Sequence, residues 1–245
     1  MDRTNLYRFA GRTIQVTSLY QEVHDYCREY RTSGTPDFEV VTSQADIDFE
    51  REKSAKEDRA EGRTVRSFPD WYLEELAVYR KIAERMPDDD TFLFHGSCVA
   101  VDGVGYLFTA KSGTGKSTHT RLWRELLGER AEMVNDDKPL IRVTESRAIV
   151  YGTPWDGKHR LSNNIAVSLK AICILERAER NVIQQISIGE IYPMLLQQVY
   201  RPMDSGAMLK TLELLDRLAE QVRFYRLRCN MELEAAQVAF DGMKG

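Results

Sequence analysis

The chain carries the octapeptide Ala110-Lys111-Ser112-Gly113-Thr114-Gly115-Lys116-Ser117, which has the spacing of a phosphate-binding loop with alanine in place of the first glycine. Its two glycines would let the backbone turn successive N–H groups inward to form a concave anion site. A helix that begins near Lys116 would add the positive end of its dipole. The octapeptide therefore predicts a loop that holds the phosphates of a nucleoside triphosphate.

The polar residues at the end of the octapeptide have separate roles in this prediction. Lys116 would reach the β- and γ-phosphates, and the hydroxyl of Ser117 would bind Mg²⁺. A glycine loop of purely structural use is the alternative, and it leaves the lysine at the helix start unexplained. We expect the nucleotide to be held by Ser112, Gly113, Thr114, Gly115, Lys116, Ser117 and Thr118.

The sequence on both sides of the loop has the pattern that such a site requires. Phe92–Val101 is a mostly apolar strand, Asp102-Gly103 is a hairpin turn signal, and Gly105–Thr109 returns into the loop. Lys116–Leu127 has the pattern of a helix, and Leu169–Leu175 has that of a short buried strand. The loop is therefore expected between a strand and a helix of an α/β core.

A pair of carboxylates follows the loop in the sequence. Asn135-Asp136-Asp137 lies about twenty residues after the loop and directly after an apolar strand end. One carboxylate can reach the metal ion, or a water on it, while its neighbour accepts a proton from a substrate hydroxyl. An ordinary surface turn is the alternative. Behind a phosphate loop at this distance, the pair favours catalysis.

Two histidines stay open between packing and function. His95 lies in the apolar strand before the hairpin, where it either packs in the core or borders the phosphates. His119 and Trp123 lie one turn apart on the helix after the loop. Core packing is the expected role of Trp123, and His119 either packs beside it or approaches the substrate or nucleotide.

Another segment, Gly152–Arg160, combines turn residues with cations and a tryptophan. Lys158 and Arg160 could clamp a phosphate or a substrate carboxylate, and Trp155 could form a substrate wall. The alternative is a surface turn with solvated cations and a tryptophan folded onto the core.

Residues 1–87 read as a small N-terminal α/β region that precedes a nucleotide-binding core at 88–245. Strands are expected at Thr13–Thr17 and Phe38–Val41, and a capping box at Ser18 to Gln21 predicts a helix start. The charged segment Asp46–Arg63 is either a solvated helix or a mobile linker. An amphipathic helix is expected at Trp71–Met86.

Composition limits the classes of partner and the cellular location. The formal net charge is −4, so a nucleic-acid duplex is not an expected partner. The start of the chain lacks the apolar run of a signal peptide, and no stretch approaches the length of a membrane span. The four cysteines are far apart and are expected to be reduced thiols in or near the core. We therefore expect a cytoplasmic protein that does not bind a membrane.

Taken together, the motifs resemble those of the HPr kinase/phosphorylase and the phosphoenolpyruvate-carboxykinase-like kinases. The matching elements are His95-Gly96, Gly103-Val104-Gly105, Ser112-Gly113-Thr114-Gly115-Lys116-Ser117 and Asp136-Asp137. The likeness covers residues 92 to 175 and is closer to the smaller stand-alone members, some of which modify peptide precursors. The chain departs from the bifunctional enzyme at Thr118 and His119, where that enzyme has an acidic residue after the loop.

The resemblance implies a mixed-sheet α/β fold with a P-loop core that binds ATP and Mg²⁺ and phosphorylates a hydroxyl, commonly a serine. By this likeness His95 lies near the transferred phosphoryl group. Asp136 is the general base and Asp137 is a metal ligand, or the two exchange these roles.

The main hypothesis is accordingly a kinase that acts on a protein or peptide. A small-molecule kinase and a nucleotide-gated binding module without transfer activity are the alternatives. The presence of two candidate bases argues against the module, because a sensor needs no general base. A monomer and a homo-oligomer are both compatible with the sequence.

Overall fold

A computed structural model of the chain describes residues 3 to 245. Met1 and Asp2, which belong to the N-terminal segment considered above for a signal peptide, lie outside the described residues. The chain divides into two compact units, Met1–Arg85 and Met86–Gly245. No helix in the described part of the chain combines the length and the apolar character that a membrane crossing requires.

The first unit is a small sheet with helices. In its described residues, β1 (Arg3–Phe9) and β2 (Arg12–Ser18) pair antiparallel, and β3 (Phe38–Val41) pairs parallel to β2. The helices are α1 (Gln21–Tyr26), α2 (Gln44–Ala60) and α3 (Asp70–Arg85). The expected strands at residues 13–17 and 38–41 and the expected helix at 71–86 are confirmed.

Two further predictions for the first unit, the capping box at Ser18 and the nature of the charged segment, can be compared with the side-chain contacts in the structure. The capping box at Ser18 is wrong, because Ser18 is the last residue of β2 and its hydroxyl lies 3.0 Å from Nε2 of His24. The charged segment forms α2 rather than a linker. Its buried carboxylate Glu50 accepts a hydrogen bond from the guanidinium of Arg80 on α3 at 2.5 Å, so the two helices are joined by a charged pair.

The second unit is built on one mixed sheet. Its described strands are β4 (Thr91–Leu93), β5 (Ser97–Val101), β6 (Val104–Thr109), β7 (Ala131–Asn135), β8 (Leu140–Val143), β9 (Ala148–Tyr151), β10 (Ala166–Arg177), β11 (Val182–Ile186) and β12 (Arg223–Cys229). The sheet runs in the order β4-β8-β9-β10-β6-β5-β7. In addition, β12 pairs parallel to the carboxyl-terminal half of β10, and β11 pairs antiparallel to β12.

Helices cover both faces of this sheet. They are α4 (Lys116–Leu127), α5 (Ile188–Gln198), α6 (Ser205–Gln221) and α7 (Leu233–Met243). Successive residues of a strand point to opposite faces, so Ile172 of β10 belongs to one buried cluster with Leu215 of α6. Cys173 belongs to the other cluster, with Trp123 of α4 and Ala236 of α7. The expected mixed-sheet α/β class is therefore found.

Most elements expected around the loop are confirmed, and one is wrong. Asp102 and Gly103 form the tight turn between β5 and β6 with φ values of 51° and 80°. The helix at 116–127 and the strand at 169–175 are also present. However, residues 92–101 are not one strand, because β4 ends at Leu93 and β5 begins at Ser97. His95 lies in the break between them.

The directions of the strands bring their ends to one edge of the sheet. β5 is antiparallel to both β6 and β7, so the carboxyl ends of β6 and β7 lie beside the start of β5. β10 is parallel to β6, and β12 is parallel to β10, so both also end at this edge. Open α/β sheets bind their ligands at the carboxyl ends of strands. This edge is therefore where a site is expected.

Candidate functional site

The glycine-containing loop joins the end of β6 to the start of α4. Gly113 and Gly115 have φ values of 77° and 126°, a region that glycine enters without strain. The N–H of Thr114 donates to the carbonyl oxygen of Lys111 at 3.2 Å, which tightens the loop. Helix α4 begins at Lys116, so the loop lies directly on a helix N-terminus. Such a terminus attracts anions through its exposed N–H groups and its dipole.

The side chain of Lys116 is buried at the base of the loop and is hydrogen-bonded to the first residue of the loop. Its side chain is 9% exposed, and its ammonium donates to the carbonyl oxygen of Ala110 at 3.2 Å. Burial lowers the pKa of Lys116, because water no longer stabilises the charge, and the nearby carboxylate of Asp137 acts in the opposite direction. The loop therefore has a largely desolvated cation at its base, where a phosphate anion would be strongly attracted.

Arg177 holds the loop from another strand. It is the last residue of β10, and its guanidinium donates to the carbonyl oxygens of Thr114 at 3.2 Å and of Gly113 at 2.5 Å. These two bonds fix the peptide groups around the paired glycines. The shape of the loop thus depends on a residue more than sixty positions further along the chain.

Asn135 builds the turn that carries the two carboxylates. It is fully buried at the end of β7, and its amide donates to the carbonyl oxygen of Thr153 at 3.1 Å. Its own oxygen accepts hydrogen bonds from the N–H groups of Asp137 at 2.8 Å and Lys138 at 2.6 Å. Asn135 therefore fixes the backbone from which both carboxylates project.

Asp136 is a buried carboxylate with one oxygen left over. It is 3% exposed, and Oδ1 accepts a hydrogen bond from the N–H of Gly157 at 2.6 Å. Oδ2 is buried and has no hydrogen-bond partner among residues 3 to 245. Burial raises the pKa of Asp136 above its ordinary range, although the bond from Gly157 opposes this. A desolvated carboxylate of this kind is suited to accept a proton.

Asp137 has the opposite electrostatic character. His95 Nε2 lies 3.2 Å from Oδ1 of Asp137, and the ammonium of Lys138 lies 3.3 Å from Oδ2. Burial raises the pKa of Asp137, but the hydrogen bond from His95 and the charge of Lys138 outweigh it and hold the pKa below its ordinary range. Asp137 therefore stays ionised, as a metal ligand must be.

Backbone bonds place His95 beside Asp137. The N–H of His95 donates to the carbonyl oxygen of Gln198 at 2.7 Å, and the N–H of Gly96 donates to the carbonyl oxygen of Asp137 at 2.9 Å. The hydroxyl of Thr109, at the end of β6, donates to the carbonyl oxygen of His95 at 3.2 Å. The break in the expected strand is thus the feature that brings the histidine to the sheet edge.

The remaining residues of the predicted site divide into two groups. Ser117 and Thr118 lie on the first turn of α4, partly exposed, and Ser112 is exposed on the loop. Lys158 and Arg160 are exposed in the segment after Gly157, and Arg160 Nη1 lies 3.6 Å from Asp156. The structure thus places the loop, His95 and the two carboxylates along one edge, and leaves the two cations in solvent.

Trp155, Trp123 and His119 are all buried. Trp155 is 4% exposed, so this tryptophan is folded into the protein, as the structural alternative for its segment required. Trp123 is fully buried and packs in the core as expected. His119 is 3% exposed beside it and accepts a hydrogen bond from its indole N–H.

Three contributors to the site carried only a weak signal in the sequence. Asn135 was part of the acidic motif without a role of its own, and Gly157 was only a turn residue. Arg177 follows the buried strand at 169–175, and a charged residue at the carboxyl end of a buried strand is the signal that could have found it.

Comparisons with known proteins give little beyond this geometry. No protein-family model matches the chain, and no curated protein is similar to it. Among solved structures, the chain is similar to the Hpr(Ser) kinase/phosphatase from Coxiella burnetii at 15% sequence identity and a TM-score of 0.29. That match covers 51% of this chain and 96% of the other. A functional assignment therefore depends on the geometry of the site itself.

Proposed function

We propose that the chain is a kinase that uses ATP and Mg²⁺ to phosphorylate a hydroxyl group, namely a serine of a protein or peptide. One observation supports this above all. Asp136, a buried carboxylate with a raised pKa, lies at the same sheet edge as the glycine-containing loop and its buried Lys116. A site that only bound nucleotide would need the loop and the lysine but not a poised base.

The loop and the first turn of α4, residues 112–118, would hold the triphosphate chain. Backbone N–H groups and the helix N-terminus attract the phosphates, and Lys116 neutralises the charge that develops on the transferred group. Because Lys116 is already desolvated, it needs little reorganisation when the anion binds. ATP is the nucleotide that the motif resemblance implies.

Ser117 and Asp137 would hold Mg²⁺. No cluster of three or more His, Cys, Asp or Glu side chains that could hold a metal occurs in the described residues. Mg²⁺ in nucleotide sites takes most of its ligands from water and phosphate oxygens, so one hydroxyl and one ionised carboxylate fit this ion. When bound, Mg²⁺ supplies positive charge to the β- and γ-phosphate oxygens. His95 would keep Asp137 oriented and ionised.

Asp136 would act as the general base. It accepts the proton of the acceptor hydroxyl while the hydroxyl oxygen forms its bond to the γ-phosphorus. The bond between the γ-phosphorus and the bridging oxygen breaks, and ADP leaves with that oxygen. The N–H of Gly157 holds Oδ1, so Oδ2 is the oxygen left to take the proton. Lys158 and Arg160, on the adjoining exposed segment, would engage the acceptor.

Phosphate transfer from γ-labelled ATP tests the proposal. With Mg²⁺ and a cell extract or candidate peptides, we expect a labelled protein or peptide whose label falls at least about 100-fold with Lys116→Ala. Lys56→Ala removes an exposed lysine from α2 and serves as the control for lost charge. If the label appears only in small molecules, the acceptor is a metabolite and not a protein or peptide. No transfer by a chain that still binds ATP would overturn the kinase in favour of a nucleotide-gated module.

A further inference from the structure

A cavity of about 440 Å³ lies beside the loop, on the side away from the carboxylates. Its walls include Thr114 and Thr118 at the loop and α4, and Ala178, Cys229 and Met231 after β10 and β12. In the sheet, β10 and β12 lie on one side of β6, whereas β5 and β7 lie on the other. The cavity is thus separated from Asp136 and Asp137 by the strand that carries the loop.

The walls of the cavity suit a flat ring system with a polar edge. Leu122 and Leu175 line it with buried apolar surface, and the exposed side chain of Met231 extends that surface. Thr118 and Asn230 add hydrogen-bonding groups, and the charged residues Glu176, Arg177 and Glu179 also line the cavity. Sites for small ligands commonly have this size and this mixture of apolar walls with few polar groups.

His119 adds a buried donor to the cavity wall. The indole N–H of Trp123 donates to Nε2 of His119 at 3.1 Å, and an indole nitrogen can only donate. Nε2 is therefore unprotonated, and the proton of the neutral ring lies on Nδ1. Nδ1 has no hydrogen-bond partner within the described residues.

We infer that this cavity holds the purine nucleoside of the triphosphate and that Nδ1–H of His119 donates to a purine ring nitrogen. The inference rests on the proposed function only in that the loop binds a triphosphate chain. Thr118 and His119 follow the loop on α4, so a nucleotide whose phosphates lie on the loop has its base within reach of this side. A purine ring offers unprotonated nitrogens, which are acceptors for a fixed N–H donor.

Labelling of Cys229 gives a test on the unaltered protein. Cys27, Cys98 and Cys173 are buried, whereas Cys229 is partly exposed and lines the cavity. We expect MgATP to slow the reaction of Cys229 with N-ethylmaleimide, followed by mass spectrometry, by about tenfold when nine-tenths of the sites are filled, because only the unoccupied tenth then reacts. Magnesium tripolyphosphate, which lacks the nucleoside, should leave the rate unchanged. Equal protection by both, or bound MgATP without protection, would overturn the inference.

His119→Phe tests the donor, because phenylalanine keeps a ring against Phe108 and Trp123. We expect the affinity for MgATP to fall about 5- to 50-fold, since a buried acceptor on the base loses its partner, while the affinity for magnesium tripolyphosphate is unchanged. An equal loss for both ligands, or no loss for MgATP, contradicts the assignment. The variant also leaves the Trp123 indole without its acceptor, so a second variant is needed.

Cys229→Phe fills the cavity at a partly exposed position and leaves the His119–Trp123 pair intact. MgATP affinity should fall at least about tenfold, which corresponds to about 1.4 kcal/mol, and tripolyphosphate affinity should be kept. Unchanged MgATP affinity would overturn the inference.

Failure of this inference can be told apart from failure of the proposed function. If MgATP protects Cys229 but no phosphate is transferred, the nucleoside site stands and the kinase does not. If phosphate is transferred without protection of Cys229, the kinase stands and the nucleoside lies elsewhere. If neither MgATP nor tripolyphosphate binds, both proposals are overturned.

Discussion

The side chain of Asp136 combines burial with a charge that has only one hydrogen bond to support it. Taking a carboxylate out of water costs stability unless its oxygens find partners. Here Gly157 serves one oxygen, and the other has no partner within residues 3 to 245. The neighbouring Asp137 is supported on both oxygens by His95 and Lys138. Two adjacent carboxylates therefore differ in protonation behaviour through their surroundings alone.

The variant Asp136→Asn should lose activity and gain stability. Phosphate transfer should fall at least about 100-fold because the base is lost, while MgATP still binds. The folded pKa of Asp136 is raised, so the native protein holds this proton more readily than the unfolded chain, and ionisation destabilises it at neutral pH. We expect a higher Tm than the wild type at pH 7, and a difference that shrinks as the pH falls through the folded pKa.

Asp137→Asn is the matched control for this measurement, with the opposite sign. Its folded pKa is depressed, so its charge contributes stability above the unfolded pKa, about 3.9, that is lost as the pH falls through the folded pKa. The Tm of Asp137→Asn should therefore lie below that of the wild type at pH 7. A Tm of Asp136→Asn below that of the wild type at pH 7 would contradict the raised pKa of Asp136. Unaltered turnover by Asp136→Asn would contradict its role as the general base.

Gly157 has to be glycine because Asp136 lies against it. A Cβ atom at residue 157 would lie 2.8 Å from Oδ2 of Asp136. We expect Gly157→Ala to cost about 1–3 kcal/mol in the free energy of unfolding and to lower transfer at least about tenfold, because the carboxylate must move. In Gly189→Ala the new methyl group meets open space on α5, so transfer should be unchanged. Equal transfer by both variants would show that the position of Asp136 is not critical.

At the scale of elements, the site is assembled by strands and helices that are distant along the chain. Arg177 at the end of β10 holds the glycine-containing loop, and Gln198 at the end of α5 holds the backbone of His95. The site therefore depends on the packing of α5 and β10 against the sheet. Loops held in this way bind ligands with a smaller loss of conformational freedom.

Loss of the Arg177 guanidinium should weaken the loop. In Arg177→Met, the carbonyl oxygens of Gly113 and Thr114 lose their donor, and we expect the affinity for tripolyphosphate to fall by about tenfold. The affinity for MgATP should fall at least as much, because Arg177 also lines the cavity. Arg180→Met removes an equal charge from an exposed position nearby and is the control. Isothermal titration with both ligands distinguishes the cases. Similar losses in the two variants would mean that only net charge matters.

At the scale of the whole molecule, sequence patterns specified the elements that depend on neighbours in the chain. A two-residue hairpin turn requires positive φ at both of its central residues. Asp102 and Gly103 have such φ values, and Asp-Gly is a dipeptide that adopts them readily. The helix after the loop follows from its own apolar spacing. The acidic pair also follows its strand as expected. The sequence therefore predicted the parts of the candidate site but not how they are arranged in space.

What could not be foreseen depends on partners far away in the sequence. The break at His95 exists because Gln198 and Asp137 offer carbonyl oxygens to the backbone there. Ser18 begins a capping-box pattern in the sequence. In the structure it is the last residue of β2, and its hydroxyl is hydrogen-bonded to His24 and does not cap a helix. Arg177 gave no local signal that its partners would be loop carbonyls.

The position of β6 in the sheet has a kinetic consequence. The cavity lies on one side of this strand and the carboxylates lie on the other, so two substrates need not share an entrance. We expect ATP and the acceptor to be bound together before the phosphoryl group is transferred. Double-reciprocal plots of the initial rate against ATP concentration, at several acceptor concentrations, should therefore give intersecting lines. Parallel lines, produced when ADP leaves before the acceptor binds, would contradict this. A single direct displacement would also invert the configuration at the γ-phosphorus, so chirally labelled ATP would record the path of the phosphoryl group.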